Sequence, residues 1–382
     1  MEAFSFHNPT KILFGKGQIP RLGKELQKDG VKRLLLIAGE GSIRRNGLYT
    51  AVLSSLSAAG ISPIEGWGVS PNPRLDKVYE LIFLARENEI DAVLGVGGGS
   101  VIDTAKAVAA GYYLEDIWSA FQGKATIQKA LPIYSVLSLS GTGSEMNGNA
   151  VITNTDTQQK WGLGSRHLYP QLSILDPSYQ STLSFRQTAS GAMDAIAHIL
   201  EYFFADSRAK VTLAMNAAIL KSIVEMTDRL QADGNDYEAR ANLAWASTMA
   251  LNGMSEIGLI GGDWACHAIE HAFSALHPAI AHGEGLAVLF PAWIGFVSVR
   301  KPELFSAWAR EVWDDLSINR SLHLFRQKLS QWGLPSSLRD LSIKEEELPR
   351  LVEIVFSCGA TEIGGIYKLN QADLKSLLML AF

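Results

Sequence analysis

The chain has 382 residues, of which 47% are hydrophobic and 19% are charged, and its formal net charge is −5. A chain of this length exceeds what one hydrophobic core comfortably holds, so the sequence predicts a globular protein with two domains. The acidic balance weighs against a nucleic-acid-binding surface, which needs clustered lysine and arginine side chains.

Cysteine content and apolar stretches bear on the compartment. Two cysteines, Cys266 and Cys358, cannot build a disulfide framework, which favours a reducing, cytoplasmic location. The first residues lack a basic and then apolar leader, so no signal peptide is expected. The most apolar stretch, residues 285–299, is short and contains Pro291, which predicts a buried helix and no membrane span.

The first half of the chain alternates strand-like and helix-like segments. Short, mostly apolar runs predict strands at residues 11–14, 33–38, 61–66, 92–96 and 131–137. Helical periodicity predicts helices at residues 75–88 and 101–110. Such alternation with short connections is typical of a mainly parallel sheet with right-handed crossovers.

The pattern changes near Asp176-Pro177. From residue 184 to residue 382 the segments are long, rich in alanine and leucine, and of helical period. We therefore predict an α/β N-terminal domain with a mainly parallel, Rossmann-like sheet over residues 1–180. An all-α C-terminal domain is predicted over residues 181–382.

A glycine-rich loop, Gly97-Gly98-Gly99-Ser100, stands between a predicted strand and a predicted helix. Backbone without Cβ atoms can approach a diphosphate, and the N–H groups at a helix start favour its charge. Such a loop is a weak signal by itself, and its spacing differs from the G-x-G-x-x-G fingerprint. A second, hydroxyl-rich loop, residues 138–144, would lie at the carboxyl ends of neighbouring strands, where open α/β sheets bind ligands.

Half of the eight histidines lie between His267 and His282, and the surrounding residues 241–299 contain no lysine or arginine. Upstream, Asp194 and His198 stand four residues apart, which places both side chains on one face of a helix. An Asp-x3-His pair alone is more often an ordinary surface or core pair. Together the four side chains would supply three imidazoles and one carboxylate, a set suited to Zn²⁺ or Fe²⁺.

These segments together resemble the iron-containing (type III) alcohol dehydrogenase family, and most of all its butanol dehydrogenase and broad-range aldehyde reductase branch. The motifs that carry the resemblance are FHNPTKILFG at residues 6–15, GGGSVID at 97–103, GTGSE at 141–145, LDP at 175–177, GAMDAIAH at 191–198, HAIEH at 267–271 and HG at 282–283. The resemblance implies a nucleotide-binding α/β domain followed by a helical domain.

The resemblance also implies site residues. The implied metal ligands are Asp194, His198, His267 and His282. His271 would lie near the nicotinamide as a candidate proton relay, although a helix histidine bonded to a backbone carbonyl is the alternative. The residues implied at the cofactor diphosphate are Gly97, Gly98, Gly99, Ser100 and Asp103. Those implied near the ribose and nicotinamide are Leu137, Ser140, Thr142, Ser144 and Lys160.

One departure from the family concerns the last ligand. The interval from His267 to His282 is one residue longer than in several relatives, so His277 is a rival to His282. We favour His282, because a His-Gly pair that opens the next helix is the ligand context of the family. Cys266 adjoins His267, but neighbours on a helix point about 100° apart, so we interpret Cys266 as a packing residue.

The segment after the second strand bears on the choice of cofactor. Relatives that use NAD often have Asp at the position of Gly39, and this chain resembles the Gly-Gly-Gly-Ser version of NADP-using members. Donors to a 2′-phosphate would come from Gly39, Gly41, Ser42 and the pair Arg44-Arg45. Glu40 replaces the middle glycine and would oppose the phosphate if it faced the ribose. We expect NADP(H) in preference to NAD(H).

The expected activity is hydride transfer between NADP(H) and a small uncharged alcohol or aldehyde, with one divalent metal, Fe²⁺ or Zn²⁺. Glycerol dehydrogenase-like oxidation, a dehydroquinate synthase-like lyase and a metal protein without nicotinamide are the alternatives. The lyase needs cations near the metal, which residues 241–299 lack. The loops at residues 97–100 and 138–144, which suit a nucleotide, disfavour a metal protein without nicotinamide. The family suggests a homodimer, and no nucleic-acid or membrane partner is expected.

Overall fold

The computed structural model describes residues 1–205, 208–357 and 359–382, so Cys358 lies outside the described residues. The chain divides into two compact units. The α/β unit comprises residues 7–183 and 235–244, and the helical unit comprises residues 1–6, 184–234 and 245–382. The change of unit at Ser184 lies close to the predicted boundary at residue 180. Residues 1–6 and 235–244, however, each belong to the unit opposite to the one predicted.

A parallel sheet forms the centre of the α/β unit. The strands are β1 (Lys11–Phe14), β2 (Leu34–Gly39), β3 (Ile64–Val69), β4 (Ala92–Gly97), β5 (Ile133–Leu137), β6 (Asn149–Asn154), β7 (Gln159–Gly164) and β8 (Leu172–Leu175). Six of them form a parallel sheet in the order β1-β8-β5-β4-β2-β3, and β6 and β7 form a separate antiparallel hairpin. The helices are α1 (Leu22–Lys28), α2 (Ser42–Arg45), α3 (Leu48–Ala58), α4 (Leu75–Glu87), α5 (Gly99–Gly111) and α6 (Ile117–Phe121).

Helices cover both faces of this sheet. Leu34 and Leu36 of β2 pack with residues of α1 and α3, whereas Leu35 and Ile37 pack with residues of α4 and α5. Successive side chains of a strand point to opposite faces, so a strand covered on both sides needs apolar residues at every position. This explains the continuous apolar run at residues 34–38, and the predicted α/β class is confirmed.

Four strands differ from the predictions, apart from shifts of a residue or two at strand ends. The strand predicted at residues 61–66 is β3, which begins only at Ile64. Pro63 has no N–H to donate and restricts the residue before it, so pairing starts after it. The hairpin of β6 and β7 was not predicted, because QKWGLG lacks a clear apolar alternation. The four-residue strand β8 was also missed.

The carboxyl ends of β2, β4 and β5 lie side by side. Ala38 of β2 is in register with Val96 of β4, and Gly97 of β4 is in register with Leu137 of β5. The loops that follow these strands therefore begin at one edge of the sheet. That edge is where open α/β sheets bind ligands.

The helical unit is built from long helices. They are α7 (Phe185–Phe203), α8 (Lys210–Ala232), α9 (Tyr237–Ala250), α10 (Ala265–Leu276), α11 (His282–Ser298), α12 (Ser306–Trp313), α13 (Ile318–Gln331), α14 (Leu348–Val355) and α15 (Gln371–Ala381), with α9 shared because its residues up to Ala244 group with the α/β unit. In the described part of this unit the only β pairing is a single bridge between Ile363 and Leu369. The predicted helical character is thus confirmed.

Two helices of this unit, α7 and α11, agree with local signals in the sequence. Helix α7 begins with a capping box, in which Ser184 Oγ accepts the N–H of Gln187 at 3.3 Å and Gln187 Oε1 accepts the N–H of Ser184 at 3.1 Å. Helix α11 is the buried apolar helix predicted near residues 285–299, and it contains Pro291. Within the described ranges, no helix is long and apolar enough to cross a membrane.

Gly23 provides a test of the helix packing in the α/β unit. A Cβ at Gly23 of α1 would lie 2.0 Å from the carbonyl oxygen of Ser55 in α3. We expect Gly23→Ala to lower the free energy of unfolding by about 1–3 kcal/mol, because the two helices must separate. Gly234→Ala is the control, since a Cβ there meets no atom within 4 Å. Urea unfolding followed by circular dichroism would measure both, and equal stabilities would contradict the close packing.

Candidate metal centre and cofactor loops

Three helices of the helical unit carry the candidate metal ligands. Asp194 and His198 lie about one turn apart on α7. His267 lies in the first turn of α10, and His282 is the first residue of α11. Helix α11 packs against both α7 and α10. Residues distant in sequence are thereby brought together.

The donor atoms of these side chains converge. One donor atom each from Asp194, His267 and His282 lies within 4.8 Å of the others, and His282 Nε2 is 3.7 Å from Asp194 Oδ1. His198 Nδ1 is 3.9 Å from the same oxygen, and the His198 ring stacks on His267 with centroids 4.8 Å apart. Ligands of one metal ion are separated by roughly 3–4 Å, so the spacing fits a single ion.

His277, the rival for the last ligand, lies elsewhere. It is the C-terminal cap of α10, and its Nε2 atom is 3.0 Å from Glu347 Oε1. The groups of converging donors in the described chain include His282 but not His277. The structure therefore places His282 beside Asp194 and pairs His277 with Glu347.

Burial gives these histidines the properties of metal ligands. Asp194, His198 and His267 are buried, and burial lowers the pKa of His198 well below its usual value, with repulsion from His267 and His282 adding to the effect. A low pKa keeps the imidazole neutral, which is the form that binds metals. Among the described residues, neither His198 Nδ1 nor His267 Nε2 has a hydrogen-bond partner. Buried polar atoms seldom lack partners, so the donor set fits a divalent cation.

Two buried glutamates hold candidate ligands, and sequence reasoning missed both. Glu201 Oε1 lies 2.7 Å from His267 Nδ1, and Glu270 Oε2 bonds to His282 Nδ1. A carboxylate at Nδ1 fixes the tautomer that leaves Nε2 available for a metal. A signal was present, because Glu201 follows Asp194 by about two turns of an otherwise apolar helical face.

Two glycines bring α11 close to its neighbours. A Cβ at Gly283 would lie 1.9 Å from the carbonyl oxygen of Ser190 in α7. A Cβ at Gly285 would lie 2.7 Å from Cγ of Glu270 in α10. Side chains at these positions would push the start of α11 away. The His-Gly pair therefore has a physical basis, since Gly283 lets His282 reach Asp194.

His271 lies beside the candidate ligands. It follows His267 by one turn of α10 and is half-buried, and its ring centroid is 5.5 Å from that of His282. Glu270, His271 and His282 form a second group with donor atoms within 4.8 Å. Cys266, in contrast, is buried, and burial raises the pKa of its thiol well above the usual value. An inert thiol agrees with a packing residue.

In the α/β unit, the first glycine loop joins β4 to α5. A Cβ at Gly99 would lie 2.4 Å from the side chain of Thr142, and a Cβ at Gly97 would lie 2.5 Å from that of Val101. Gly98 is the N-terminal cap of α5, and Ser100 lies in its first turn. The loop thus presents backbone at a helix N-terminus, an arrangement that favours phosphate.

A buried polar network braces the second loop. Lys106 Nζ donates to Ser144 Oγ at 2.9 Å, to Asn147 Oδ1 at 3.0 Å and to the Asn149 carbonyl at 2.8 Å. Ser144 Oγ donates to Asp103 Oδ1 at 2.6 Å. Burial lowers the pKa of Lys106 to about 8 and raises that of Asp103. Asp103 and Ser144 thus bond to each other, and this hydrogen bond joins α5 to the second loop.

Three further residues predicted near the ribose and nicotinamide, Ser140 of the second loop, Lys160 of β7 and Leu137 of β5, are also engaged within the fold. Ser140 Oγ donates to Gln180 Oε1 at 3.1 Å, and Lys160 Nζ donates to Asn72 Oδ1 at 2.9 Å. Leu137 ends β5 with a buried side chain, so only its backbone is available to a ligand.

The turn after β2 contains the residues predicted to select the cofactor. Gly39 ends β2, and Gly41 caps α2 with a φ of 117°, in the region that favours glycine. Ser42 opens α2, and Glu40 is exposed. The guanidinium of Arg44 lies over the ring of Trp67, 3.9 Å from its centroid. A cation is therefore held beside this turn.

Comparisons with known proteins agree with these sites. Residues 9–177 match the family model for iron-containing alcohol dehydrogenase, and residues 188–382 match the model for the C-terminal part of that family. The chain is 40% identical to a probable NADH-dependent butanol dehydrogenase 2 of Bacillus subtilis (strain 168), over 99% of each chain. It is 35% identical to the NADPH-dependent aldehyde reductase YqhD of Escherichia coli (strain K12), over 95% of each chain.

A solved structure gives the same result. The crystal structure of NADH-dependent butanol dehydrogenase A from Thermotoga maritima superposes with a TM-score of 0.97 at 47% identity, covering 100% of this chain and 99% of that one. The resemblance noted in the sequence is confirmed: the chain belongs to the iron-containing alcohol dehydrogenase family and is a metal- and NAD(P)H-dependent oxidoreductase.

Proposed function

We propose that this enzyme interconverts small, uncharged alcohols and aldehydes of the butanol class. The observation that carries the proposal is the convergence of Asp194, His198, His267 and His282 among apolar helices. The absence of lysine and arginine from residues 241–299 favours uncharged substrates. Relatives named butanol dehydrogenase and aldehyde reductase support the substrate class.

In the proposed site, the four side chains hold one divalent ion, Fe²⁺ or Zn²⁺. The ion supplies Lewis-acid chemistry to an alcohol or carbonyl oxygen, and the nicotinamide supplies hydride chemistry. Imidazole and carboxylate donors suit either ion. His271, half-buried beside His282, moves the proton to or from the substrate oxygen, directly or through a water or ribose hydroxyl.

The cofactor binds the loops of the α/β unit in this proposal. The backbone of residues 97–100 at the start of α5 binds the diphosphate. Ser140, Thr142 and Lys160 contribute polar groups near the ribose and nicotinamide, and the bond between Asp103 and Ser144 keeps the loop in place.

We further propose NADP(H) as the preferred cofactor. The turn has no carboxylate at Gly39, Glu40 is exposed, and Arg44 supplies a positive charge. Proteins named as NADH-dependent are 40% and 47% identical to the chain, and the relative named as NADPH-dependent is 35% identical, so this proposal rests on the residues of the turn. A homodimeric state and a cytoplasmic location, which were expected from the sequence, stay predictions.

The metal site is tested by removing ligands. Asp194→Ala and His267→Ala should each lose both the metal and turnover but retain nucleotide binding, because these residues lie in the helical unit and the cofactor loops lie in the α/β unit. Elemental analysis and a nucleotide titration followed by tryptophan fluorescence would measure both. His277→Ala is the control and should keep its metal, since His277 pairs with Glu347. A full metal complement in His267→Ala would show that His267 is not a metal ligand.

The substrate class is tested with a series of aldehydes. Each further methylene buried in an apolar pocket contributes about 0.8 kcal/mol, or roughly a fourfold gain in kcat/KM. We expect such gains from acetaldehyde through butanal under one set of conditions. A phosphorylated or dicarboxylic aldehyde that reacts faster than butanal would contradict the proposal.

The cofactor preference is tested at Gly39. A Cβ there would lie 3.3 Å from the carbonyl oxygen of Val69, so a side chain needs only a small adjustment. Gly39→Asp places a carboxylate where a 2′-phosphate would bind and should lower the ratio of kcat/KM for NADPH over NADH by about tenfold, or roughly 1.4 kcal/mol. Glu40→Gln is the companion variant. If the wild type prefers NADH and Glu40→Gln reverses that preference, then Glu40 sets the specificity and the proposal is wrong.

A further inference from the structure

Glu201 contacts two different groups at the start of α10. Its side chain is 2% exposed. Oε1 lies 2.7 Å from His267 Nδ1 and also accepts the His267 N–H at 3.4 Å. Oε2 accepts the N–H of Trp264 at 2.5 Å. One carboxylate therefore holds both the ring of a candidate metal ligand and the backbone three residues before it.

Trp264 needs this support because its backbone is strained. It caps α10 with φ 64° and ψ 6°, in the left-handed region that large side chains rarely adopt. Such conformations persist only where the surroundings hold them, and they cluster at functional sites. The Asp263 N–H donates to the Glu201 carbonyl at 2.9 Å, so the backbone of Glu201 also holds this segment.

The conformation of Trp264 places its indole against the candidate ligands. Its ring centroid is 5.1 Å from that of His267 and 6.3 Å from that of His198. It also meets Tyr202 edge-on, with centroids 5.4 Å apart. A residue that fixes the backbone at Trp264 therefore fixes the packing around two imidazoles.

We propose that Glu201 is a positioning residue for the metal centre. Its Oε1 atom keeps the proton of His267 on Nδ1, which presents Nε2 to the metal, and its Oε2 atom keeps Trp264 in the left-handed conformation. This inference rests on the proposed function, since it takes His267 as a ligand. Mutation of a carboxylate that holds a ligand histidine in this way commonly lowers metal affinity by about 10–100-fold.

The two oxygens of Glu201 make Glu201→Gln an informative variant. A glutamine has one acceptor oxygen and one donor NH₂ group. If its oxygen accepts from His267 Nδ1, the NH₂ group opposes the Trp264 N–H. If the NH₂ group faces His267, it donates to Nδ1 and moves the ring proton to Nε2, which can then no longer bind the metal. Either orientation breaks one of the two contacts.

The experiment measures the affinity of the full-length, nucleotide-free protein for Zn²⁺ alone by competition with a chelator. Glu201→Gln should bind Zn²⁺ about 10–100-fold more weakly than the wild type. Glu25→Gln is the matched control, because Glu25 is a buried carboxylate of the α/β unit that is held by Lys11 and Lys28. It should leave zinc affinity unchanged.

A second substitution separates the two contacts. Glycine adopts positive φ without strain, so Trp264→Gly in the wild-type background removes the need for the Oε2 contact and leaves the bond between Glu201 and His267 in place. Its zinc affinity should fall less than that of Glu201→Gln, because Glu201 still holds the ring of His267. A loss of zinc affinity as large as that of Glu201→Gln would show that Glu201 acts only through Trp264, and the proposed role toward His267 would be wrong.

The remaining outcomes distinguish this inference from the metal site itself. Zinc affinity of Glu201→Gln within twofold of the wild type overturns the inference while the metal site stands. Equal zinc binding by the wild type and His267→Ala overturns the metal site as proposed. If circular dichroism shows that Glu201→Gln is unfolded, Glu201→Asp carries the same test, since it keeps the charge but shortens the reach to both partners.

Discussion

The contact on which the metal centre depends is between two backbones, where the start of α11 meets α7. At Gly283 there is no space for a Cβ, because the carbonyl oxygen of Ser190 occupies that position. Helix axes normally stay 8–10 Å apart because of the side chains between them, and glycine removes one such side chain. The guanidinium of Arg186 in α7 and the carboxylate of Glu284 in α11 join the same helix pair, with one nitrogen–oxygen distance of 3.0 Å. Because the two helices approach so closely, His282 lies beside Asp194 and completes the group of converging donor atoms.

In the α/β unit, too, glycines allow a close approach that a side chain would prevent. Gly97 and Gly99 give up side-chain volume so that the loop after β4 can pack on Val101 and Thr142. A buried lysine, Lys106, holds the adjacent second loop through hydrogen bonds. Lys106 is fully buried, and its three acceptors come from residues far along the chain. Each unit thus combines a close approach at a glycine with a buried charged side chain whose hydrogen bonds are satisfied, Glu284 in the helical unit and Lys106 in the α/β unit. Together these contacts hold the loops and the candidate ligands in one arrangement.

Much of this could be predicted from local patterns, and the remainder depends on tertiary contacts. The apolar run at β2, the spacing of Asp194 and His198, and the His-Gly pair at residue 282 are local, so the fold class and the candidate ligands could be predicted. The hairpin of β6 and β7 has no clear alternation, because one strand contains glycine and lysine. The spacing of Glu201 from Asp194 was a local signal for a buried polar residue of the site, but its partner could not be predicted, because a glutamate in a helix sequence carries no information on which imidazole it will meet.

The division of the chain has a consequence for how such a protein can be taken apart. Residues 1–6 group with the helical unit, where the N–H of Glu2 donates to the carbonyl of Gly258 at 2.9 Å. Residues 235–244 group with the α/β unit, where the hydroxyl of Tyr237 accepts the N–H of Lys16 at 3.0 Å. Neither unit is therefore one continuous piece of sequence. A gene cut once near residue 180 encodes two fragments that each lack a segment of their own fold, so recombination by exchanging halves separates residues that pack together.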